Sequence, residues 1–185
     1  MLFSDLNKIF VNAKIIGKLP KKKIKFISDY SKNISVNTLF VINQNRNFKL
    51  SYLHEAILKN VNTVLTNHHI ENSRVNQIIV KNLDKEILKL LKITKPFPPK
   101  LSVAITGTNG KTSTTWYLSQ ICKINNIPSK LTGTLGYFIN LKKIKDTNLT
   151  TPSNLDLYQF AYSSKKNSYN YISEASSHGI HQDRF

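Results

Sequence analysis

Cysteine and long apolar segments are scarce in this chain of 185 residues. Its one cysteine, Cys122, excludes an intramolecular disulfide and a metal site built from several cysteines. Its longest apolar runs hold four or five residues, whereas a membrane-spanning helix needs about 18–20. The first 20 residues also lack an apolar stretch long enough for a secretory signal peptide. We therefore expect a cytoplasmic protein that does not insert into a membrane.

Acidic residues are few as well, 10 against 27 basic ones, which gives a net charge of +17. A charge of this size suggests nucleic acid as a partner. However, only three of the basic residues are arginine, the side chain that most often reads phosphates and base edges. The lysines are spread along the chain, with one dense run at Lys21–Lys25. We therefore expect a lysine-rich, solvated surface rather than a nucleic-acid interface.

Apolar residues make up 40% of the chain, enough for a packed core, and the length allows one domain or two small ones. Short apolar runs alternate with helical patterns, which predicts an α/β fold. In residues 1–94 we expect a small α/β domain. Its predicted strands cover Leu39–Ile42, Val61–Leu65 and Ile78–Val80, and its predicted helices cover Tyr52–Lys59 and Leu83–Leu91.

Three of the six prolines fall in residues 95–100, a stretch that cannot continue a helix and suits a linker between domains. After it, residues 101–185 show a strand–helix–strand–helix–strand pattern, which is typical of a parallel nucleotide-binding sheet. The predicted strands cover residues 101–106, 129–132 and 169–175, and the predicted helices cover 111–123 and 155–163. Such sheets usually have five or more strands, and only about three are predicted here. We therefore expect this second domain to be incomplete at its C-terminal end.

A phosphate-binding loop is predicted between the first strand and the first helix of this second domain. Gly107 and Gly110 allow backbone N–H groups to approach phosphate oxygens, and the following helix N-terminus adds a partial positive charge. Lys111 is placed to reach the β- and γ-phosphates of a nucleotide, and the hydroxyl of Thr112 to bind Mg²⁺. The usual loop has another glycine five positions before Gly110, where this chain has an isoleucine. The loop is therefore a variant.

Two further segments are rich in polar side chains. The first holds Thr150 and Thr151 before a proline, where hydroxyl groups also commonly cap a helix. The second, residues 173–184, follows an apolar strand, so it lies at the carboxyl end of the predicted sheet, where ligands bind in open α/β sheets. Its Glu174 suits a metal ion, and its Arg184 suits an anionic ligand.

Together these motifs resemble the Mur ligase family of peptidoglycan synthesis. The family's Gly-Thr-Asn-Gly-Lys-Thr loop is present as residues 107–112, and its Thr-Thr pair as Thr150 and Thr151. Its Glu-x-Ser-Ser-His segment, followed by Gln-x-Arg, is present as residues 174–184. This last segment makes the chain most similar to the UDP-N-acetylmuramoyl-L-alanyl-D-glutamate ligases (MurE), which add the third residue of the stem peptide.

The resemblance implies an ATP-dependent ligase that forms a carbon–nitrogen bond. ATP would phosphorylate the terminal carboxylate of the UDP-N-acetylmuramoyl dipeptide to an acyl phosphate. The amine of an incoming amino acid, which we expect to be meso-diaminopimelate, would then displace phosphate and form the amide. Because charge builds on the transferring phosphoryl group, a lysine and Mg²⁺ are the expected stabilisers.

The resemblance also implies roles for individual residues. Lys111 and Glu174 would be catalytic, and Thr112 and Glu174 would bind Mg²⁺. The residues expected to bind ATP are Gly107, Thr108, Asn109, Gly110, Lys111, Thr112 and Ser113. Those expected to bind the UDP-muramoyl dipeptide are Ser31, Thr150, Thr151, Ser176, Gln182 and Arg184. His178 lies in the same motif, and we assign it no role.

The likeness to the family's UDP-sugar-binding domain is looser in residues 1–94. The family's Asp-Ser-Arg element is replaced by Asp29–Lys32, in which only Ser31 matches in register, and residues 43–51 lack the family's glycine. Since the motifs correspond to only the first part of a full ligase, we expect a monomeric fragment without ligase activity of its own.

Two alternatives stay open at this point. Another Mur or folylpolyglutamate-type ATP-dependent ligase shares the phosphate loop, although the Ser-Ser-His segment with Gln182 and Arg184 argues against it. A basic nucleic-acid-binding P-loop ATPase would suit the charge, but it would need a Walker B strand that ends in aspartate and aromatic side chains for base stacking.

Overall fold

The structure, a computed structural model, describes residues 1–45, 48–95, 97–147, 149–162 and 169–181. The chain divides into two compact units, Met1–Thr94 and Lys95–Phe185. Each unit has a five-stranded sheet, and this mixed architecture confirms the predicted α/β class. In the described part of the chain, no helix is both long enough and apolar enough to cross a membrane.

The first unit has one sheet with helices along its parallel crossovers. Its strands are β1 (Lys14–Ile16), β2 (Phe26–Ser28), β3 (Thr38–Ile42), β4 (Thr63–Thr66) and β5 (Asn76–Ile79). Its helices are α1 (Leu6–Ile9), α2 (Leu50–Leu58) and α3 (Leu83–Thr94), with 3₁₀ turns at Phe3–Asp5 and Ser31–Asn33. The strand order is β1-β5-β4-β3-β2, in which β2 to β5 are parallel and β1 is antiparallel to β5.

The predicted elements of the first unit are confirmed as β3, β4, β5, α2 and α3. The sequence predicts neither β1 nor β2. Each of these strands has only three residues and lies at an edge of the sheet, so no alternation of buried and exposed positions is long enough to be recognised.

The core of the first unit follows from the apolar spacing. Strand β3 is buried along its whole length, as expected for a central strand of a parallel sheet covered on both faces. Helix α3 buries one face and begins after Asn82, whose Oδ1 accepts a 3.0 Å hydrogen bond from the Lys85 N–H. The cluster between the sheet and α2 consists of Phe40, Ile42, Leu53, Ala56, Val61, Val64, Ile70 and Val75.

The second unit has a mixed sheet. Its strands are β6 (Leu101–Ile105), β7 (Ser129–Gly133), β8 (Gly136–Ile139), β9 (Lys142–Lys145) and β10 (Asn170–Glu174). Its helices are α4 (Lys111–Ile124), α5 (Asn154–Ala161) and α6 (Ser177–His181). The strand order is β6-β10-β7-β8-β9. The first three are parallel neighbours, and β8 and β9 continue the sheet as antiparallel strands.

The sequence predicts about three strands in this unit, and that count is wrong. The three predicted strands are present as β6, β7 and β10, but the hairpin strands β8 and β9 add two more. All four residues of β9 are exposed and three of them are lysine, so the strand has no apolar pattern. Lysine on an edge strand is a common defence against pairing with other chains.

Helix α4 packs one face on the sheet of the second unit. Cys122 is buried together with Leu131, Phe138 and Ile172, so it packs as a small hydrophobic side chain. Trp116 packs edge-to-face against Phe138, with 5.2 Å between the ring centroids. This packing holds the helix that follows the phosphate loop in a fixed direction.

The three parallel strands bring their carboxyl ends to one edge of the second sheet. Glu174, the last residue of β10, pairs in register with Ile105, the last residue of β6. Ser173 pairs with Thr132 on β7, next to Gly133 where that strand ends. The loops that follow β6, β7 and β10 therefore start side by side, which is where ligands bind in open α/β sheets.

Candidate active site

The phosphate loop connects β6 to α4 through residues 106–110. Gly107 has φ +146° and Gly110, directly before the first helical residue, has φ +77°. Residues with a Cβ atom strongly disfavour such φ angles, so both glycines are needed for this backbone conformation. Residues 106–110 are exposed, and the first N–H groups of a helix have no partners inside the helix. The loop is therefore open to an anion at the helix N-terminus.

Lys111 folds back over this loop. Its Nζ donates a 2.5 Å hydrogen bond to the carbonyl oxygen of Gly107 and lies 3.4 Å from that of Thr108. The ammonium group is thus held above the loop and is only partly buried. Asn109 and Ser113 are exposed on either side of it. All seven residues predicted to bind ATP consequently lie in one loop and the first turn of α4.

Glu174 lies beside the loop with its side chain 2% exposed. Its Oε2 accepts hydrogen bonds from the hydroxyls of Thr112, at 2.9 Å, and Thr134, at 3.1 Å. Its Oε1 accepts a 2.9 Å hydrogen bond from the Thr134 N–H. The structure therefore brings together Thr112 and Glu174, the two residues that the sequence assigns to a metal ion.

Thr134 and Gly133 belong to this site although no sequence motif includes them. They lie at the turn between β7 and β8, and Gly133 pairs with Gly136 across it. A Cβ atom at Gly133 would lie 2.6 Å from Cδ and 2.7 Å from Cγ of Glu174, so only glycine lets the carboxylate pack against this strand. The sequence signal that could have predicted this turn is the two glycines that flank Thr134 and Leu135, because glycine is common in hairpin turns.

Thr150 and Thr151 reach the same edge from the loop before α5 and have different surroundings. The Thr150 hydroxyl is partly buried and lies 3.0 Å from the hydroxyl of Thr134. Thr151 is 1% exposed. Its Oγ1 accepts the N–H of Ser176 at 2.9 Å and lies 3.0 Å from both the Glu174 carbonyl oxygen and the Ser176 hydroxyl. Thr150 thus faces the site, whereas Thr151 stabilises the backbone of Glu174 and Ser176 through hydrogen bonds.

The remaining predicted residues of the second unit lie just before, on or after α6. Ser176 accepts a 3.0 Å hydrogen bond from the Gly179 N–H, and a Cβ atom at Gly179 would lie 2.7 Å from Thr151. His178 is exposed on the same short helix. Gln182 and Arg184 fall outside the described residues.

Ser31 lies in the first unit and is 5% exposed. Its hydroxyl donates a 2.5 Å hydrogen bond to Oε2 of Glu55, and Lys59 contacts both residues through its ammonium group. Hydrogen bonds from Ser31 and then from Lys59 hold the pKa of Glu55 below its ordinary value. The Ser31 side chain is therefore bound within its own unit.

Part of the chain matches a known protein family. Residues 105–185 match the model of the Mur ligase middle domain. The UDP-N-acetylmuramoyl-L-alanyl-D-glutamate–2,6-diaminopimelate ligase of Rickettsia bellii is 31% identical over 170 residues, which cover 89% of this chain and 35% of that protein. Residues 105–185 are thus similar to a Mur ligase middle domain, and most of the chain is similar to this ligase. The chain spans about a third of the length of this relative.

Solved structures of Mur ligases share the fold. A structure of a UDP-N-acetylmuramoyl-L-alanyl-D-glutamate–2,6-diaminopimelate ligase matches with a TM-score of 0.69 at 20% identity and covers all of this chain and 37% of its own. The MurF ligase of Thermotoga maritima, solved in complex with ADP, matches with a TM-score of 0.54 at 18% identity, over 83% of this chain and 32% of its own.

The site offers oxygen donors, the type of ligand that Mg²⁺ prefers. The carboxylate of Glu174 and the hydroxyl of Thr112 are adjacent and supply only oxygen atoms, and the Thr134 hydroxyl donates to that carboxylate. Within the described residues, no group of three or more His, Cys, Asp or Glu side chains occurs. Because Mg²⁺ commonly binds through one or two protein ligands together with phosphate oxygens and water, this donor set fits the ion.

Proposed function

We infer that this chain is the nucleotide-binding part of an ATP-dependent Mur ligase that adds meso-diaminopimelate to UDP-N-acetylmuramoyl-L-alanyl-D-glutamate. One observation carries the proposal: Thr112, in the first turn after the phosphate loop, shares a hydrogen bond with the buried carboxylate of Glu174. The names of relatives such as the Rickettsia bellii enzyme support the substrate and the added amino acid.

In this reaction the dipeptide's terminal carboxylate takes the γ-phosphoryl group of ATP, and the amine of the amino acid then displaces phosphate. Backbone N–H groups of the loop and the Lys111 ammonium would hold the phosphates and offset the negative charge of the transferring group. Thr112 and Glu174 would hold Mg²⁺, which supplies further charge stabilisation when it is bound.

The polar edge beside Glu174 supports a role for Thr150 and Ser176 in holding the UDP-muramoyl dipeptide. The buried position of Thr151 supports an indirect role, in which it keeps Ser176 and Glu174 in place. We assign the UDP end of the substrate to the first unit, with Ser31 as a binding residue, and Gln182 and Arg184 to the dipeptide. We also infer a cytoplasmic, monomeric protein.

Nucleotide binding by this chain tests the proposal. Calorimetric titration with ADP should show binding that Mg²⁺ strengthens. Lys111→Met should weaken it by about tenfold to a hundredfold, because a charged hydrogen bond to phosphate contributes about 1.5–3 kcal/mol. The matched control is Lys123→Met in the last turn of the same helix, which should change the affinity less than twofold.

Equal affinities in the wild type and Lys111→Met would contradict the assignment of the loop. In a full-length ligase built on this chain, phosphate release should depend on the UDP-muramoyl dipeptide. ATP hydrolysis stimulated by single-stranded DNA instead would favour the nucleic-acid-binding alternative.

A further inference from the structure

We propose that Thr134 is a positioning residue that aims the Glu174 carboxylate at the metal ion and links the metal to the substrate-side hydroxyl of Thr150. The inference rests on the proposed function, since it deepens the assignment of Glu174 as a metal ligand. Thr134 lies outside every motif that identifies the family in this chain, and its place in the site comes only from the fold.

Thr134 donates two separate hydrogen bonds to the same carboxylate. Its N–H donates to Oε1 of Glu174 at 2.9 Å, and its hydroxyl donates to Oε2 at 3.1 Å. Thr134 therefore spans both oxygens from one side, while Thr112 approaches Oε2 from the phosphate loop. A carboxylate held at both oxygens loses its rotational freedom, which is how outer groups orient a metal ligand.

The hydroxyl of Thr134 also lies 3.0 Å from the hydroxyl of Thr150. A hydroxyl has one hydrogen, so Thr134 donates either to Glu174 or to Thr150, and not to both at once. Without a cation, the charged carboxylate is the stronger acceptor and takes this hydrogen. The Thr150 hydrogen is then drawn toward the oxygen of Thr134 and away from the site.

A divalent cation held by Glu174 and Thr112 would change this balance. Bound there, it would supply positive charge that weakens the carboxylate as an acceptor, and the hydrogen of Thr134 would then turn to Thr150. The hydrogen of Thr150 would be available to a carbonyl or carboxylate oxygen of the substrate. Metal binding and substrate binding would thus be coupled through one rotating hydroxyl.

Substitutions of the Thr134 side chain can separate its positioning role from structural support. Thr134 is exposed, and its backbone N–H stays in any variant. Thr134→Val removes only the hydroxyl and keeps the branched shape, whereas Thr134→Ser keeps the hydroxyl. The matched control is Thr94→Val in the first unit, where the lost hydroxyl bonds only to backbone carbonyls of its own helix.

The test is a Mg²⁺ titration of ADP binding to this chain and its variants. We expect Thr134→Val to raise the Mg²⁺ concentration for half-maximal effect about tenfold, the usual cost of losing an outer group at a metal site. Its ADP affinity in EDTA should stay within twofold of the wild type. Thr134→Ser and Thr94→Val should behave as the wild type in both measurements.

Four results would overturn the inference. An unchanged Mg²⁺ requirement in Thr134→Val would remove the positioning role, and so would an equal loss of ADP affinity with and without Mg²⁺. If Thr134→Ser also raised the Mg²⁺ requirement, the effect would be due to packing and not to the hydroxyl. If the wild type itself binds ADP without any Mg²⁺ dependence, the proposed function fails first, and the inference fails with it.

Discussion

The hydroxyl of Thr112 donates a 2.9 Å hydrogen bond to Oε2 of Glu174 although 62 residues separate the two in the chain. The contact arises because β6 and β10 are parallel neighbours whose last residues, Ile105 and Glu174, pair in register. The loop after one strand and the end of the other are then forced into the same place. The candidate nucleotide site is thus assembled from two short, distant motifs by a single strand pairing.

Gly133→Ala should destabilise the fold because the new methyl group would occupy the place of the Glu174 carboxylate. The Cβ atom would lie 2.6 Å from Cδ of Glu174, and moving the carboxylate breaks its three hydrogen bonds. Overpacking of this kind costs about 1–3 kcal/mol. Urea denaturation of the two proteins measures the difference in the free energy of unfolding.

The control for Gly133→Ala is the same substitution in a Glu174→Ala background. With the carboxylate gone, the clash disappears, and the substitution should be neutral or stabilise by up to about 1 kcal/mol through the unfolded chain. A double-mutant cycle isolates this coupling. Equal destabilisation in both backgrounds would show that the strain lies elsewhere.

Thr151→Val should cost about 1–3 kcal/mol of stability, because the valine leaves the partly buried N–H of Ser176 and the carbonyl of buried Glu174 without this partner. Thr151→Ser keeps the hydroxyl and should cost clearly less. The measurement is again urea denaturation. Equal losses in the two variants would mean that the methyl group, and not the hydroxyl, makes the contribution.

The motif residues could be predicted from the sequence because each motif is local. A phosphate loop needs only a strand, two glycines, a lysine and a hydroxyl in sequence, and all of these lie within residues 101–112. The segment that contains Glu174 is recognisable for the same reason. Their meeting point also follows from the sequence, since parallel strands end at one edge of a sheet.

The contributions of Gly133 and Thr134 could not be predicted because they depend on pairing between distant segments. Strand β7 meets β10 through a register that no local pattern specifies, and the hairpin strand β9 consists mainly of exposed lysines. Ser31 is a similar case. Its resemblance to a substrate-binding residue is local, whereas its bond to Glu55 joins residues 24 positions apart.

Ser31→Ala should raise the pKa of Glu55 toward its ordinary value. The hydrogen bond from Ser31 is the largest cause that lowers this pKa, and the hydrogen bond from Lys59 is the next. The measurement is an NMR pH titration of the Glu55 carboxyl carbon. Lys59→Met removes both a hydrogen bond and a positive charge and should shift the pKa in the same direction. An unchanged pKa in Ser31→Ala would show that the hydroxyl does not hold the carboxylate in solution.

Lys130 gives the stability of the second unit a pH dependence. The side chain is 2% exposed, and its Nζ donates a 2.8 Å hydrogen bond to the carbonyl oxygen of Phe160 and faces the rings of Phe160 and Tyr169 at 5.3 and 5.1 Å. Burial, with a smaller contribution from the charge of Lys95, lowers its pKa from 10.5 to about 8. The folded chain therefore releases this proton more readily than the unfolded chain.

Because the unfolded state binds more protons between pH 8 and 10.5, the contribution of Lys130 to the free energy of unfolding rises with pH in this window. The rise is up to about 1 kcal/mol per pH unit. Urea denaturation at pH 7.5 and 9.5 should show the wild type gaining stability relative to Lys130→Met. The exposed Lys142→Met on β9 serves as the control, and its difference from the wild type should not change with pH. The same flat difference for Lys130→Met would mean that the buried ammonium keeps an ordinary pKa through its carbonyl and ring contacts.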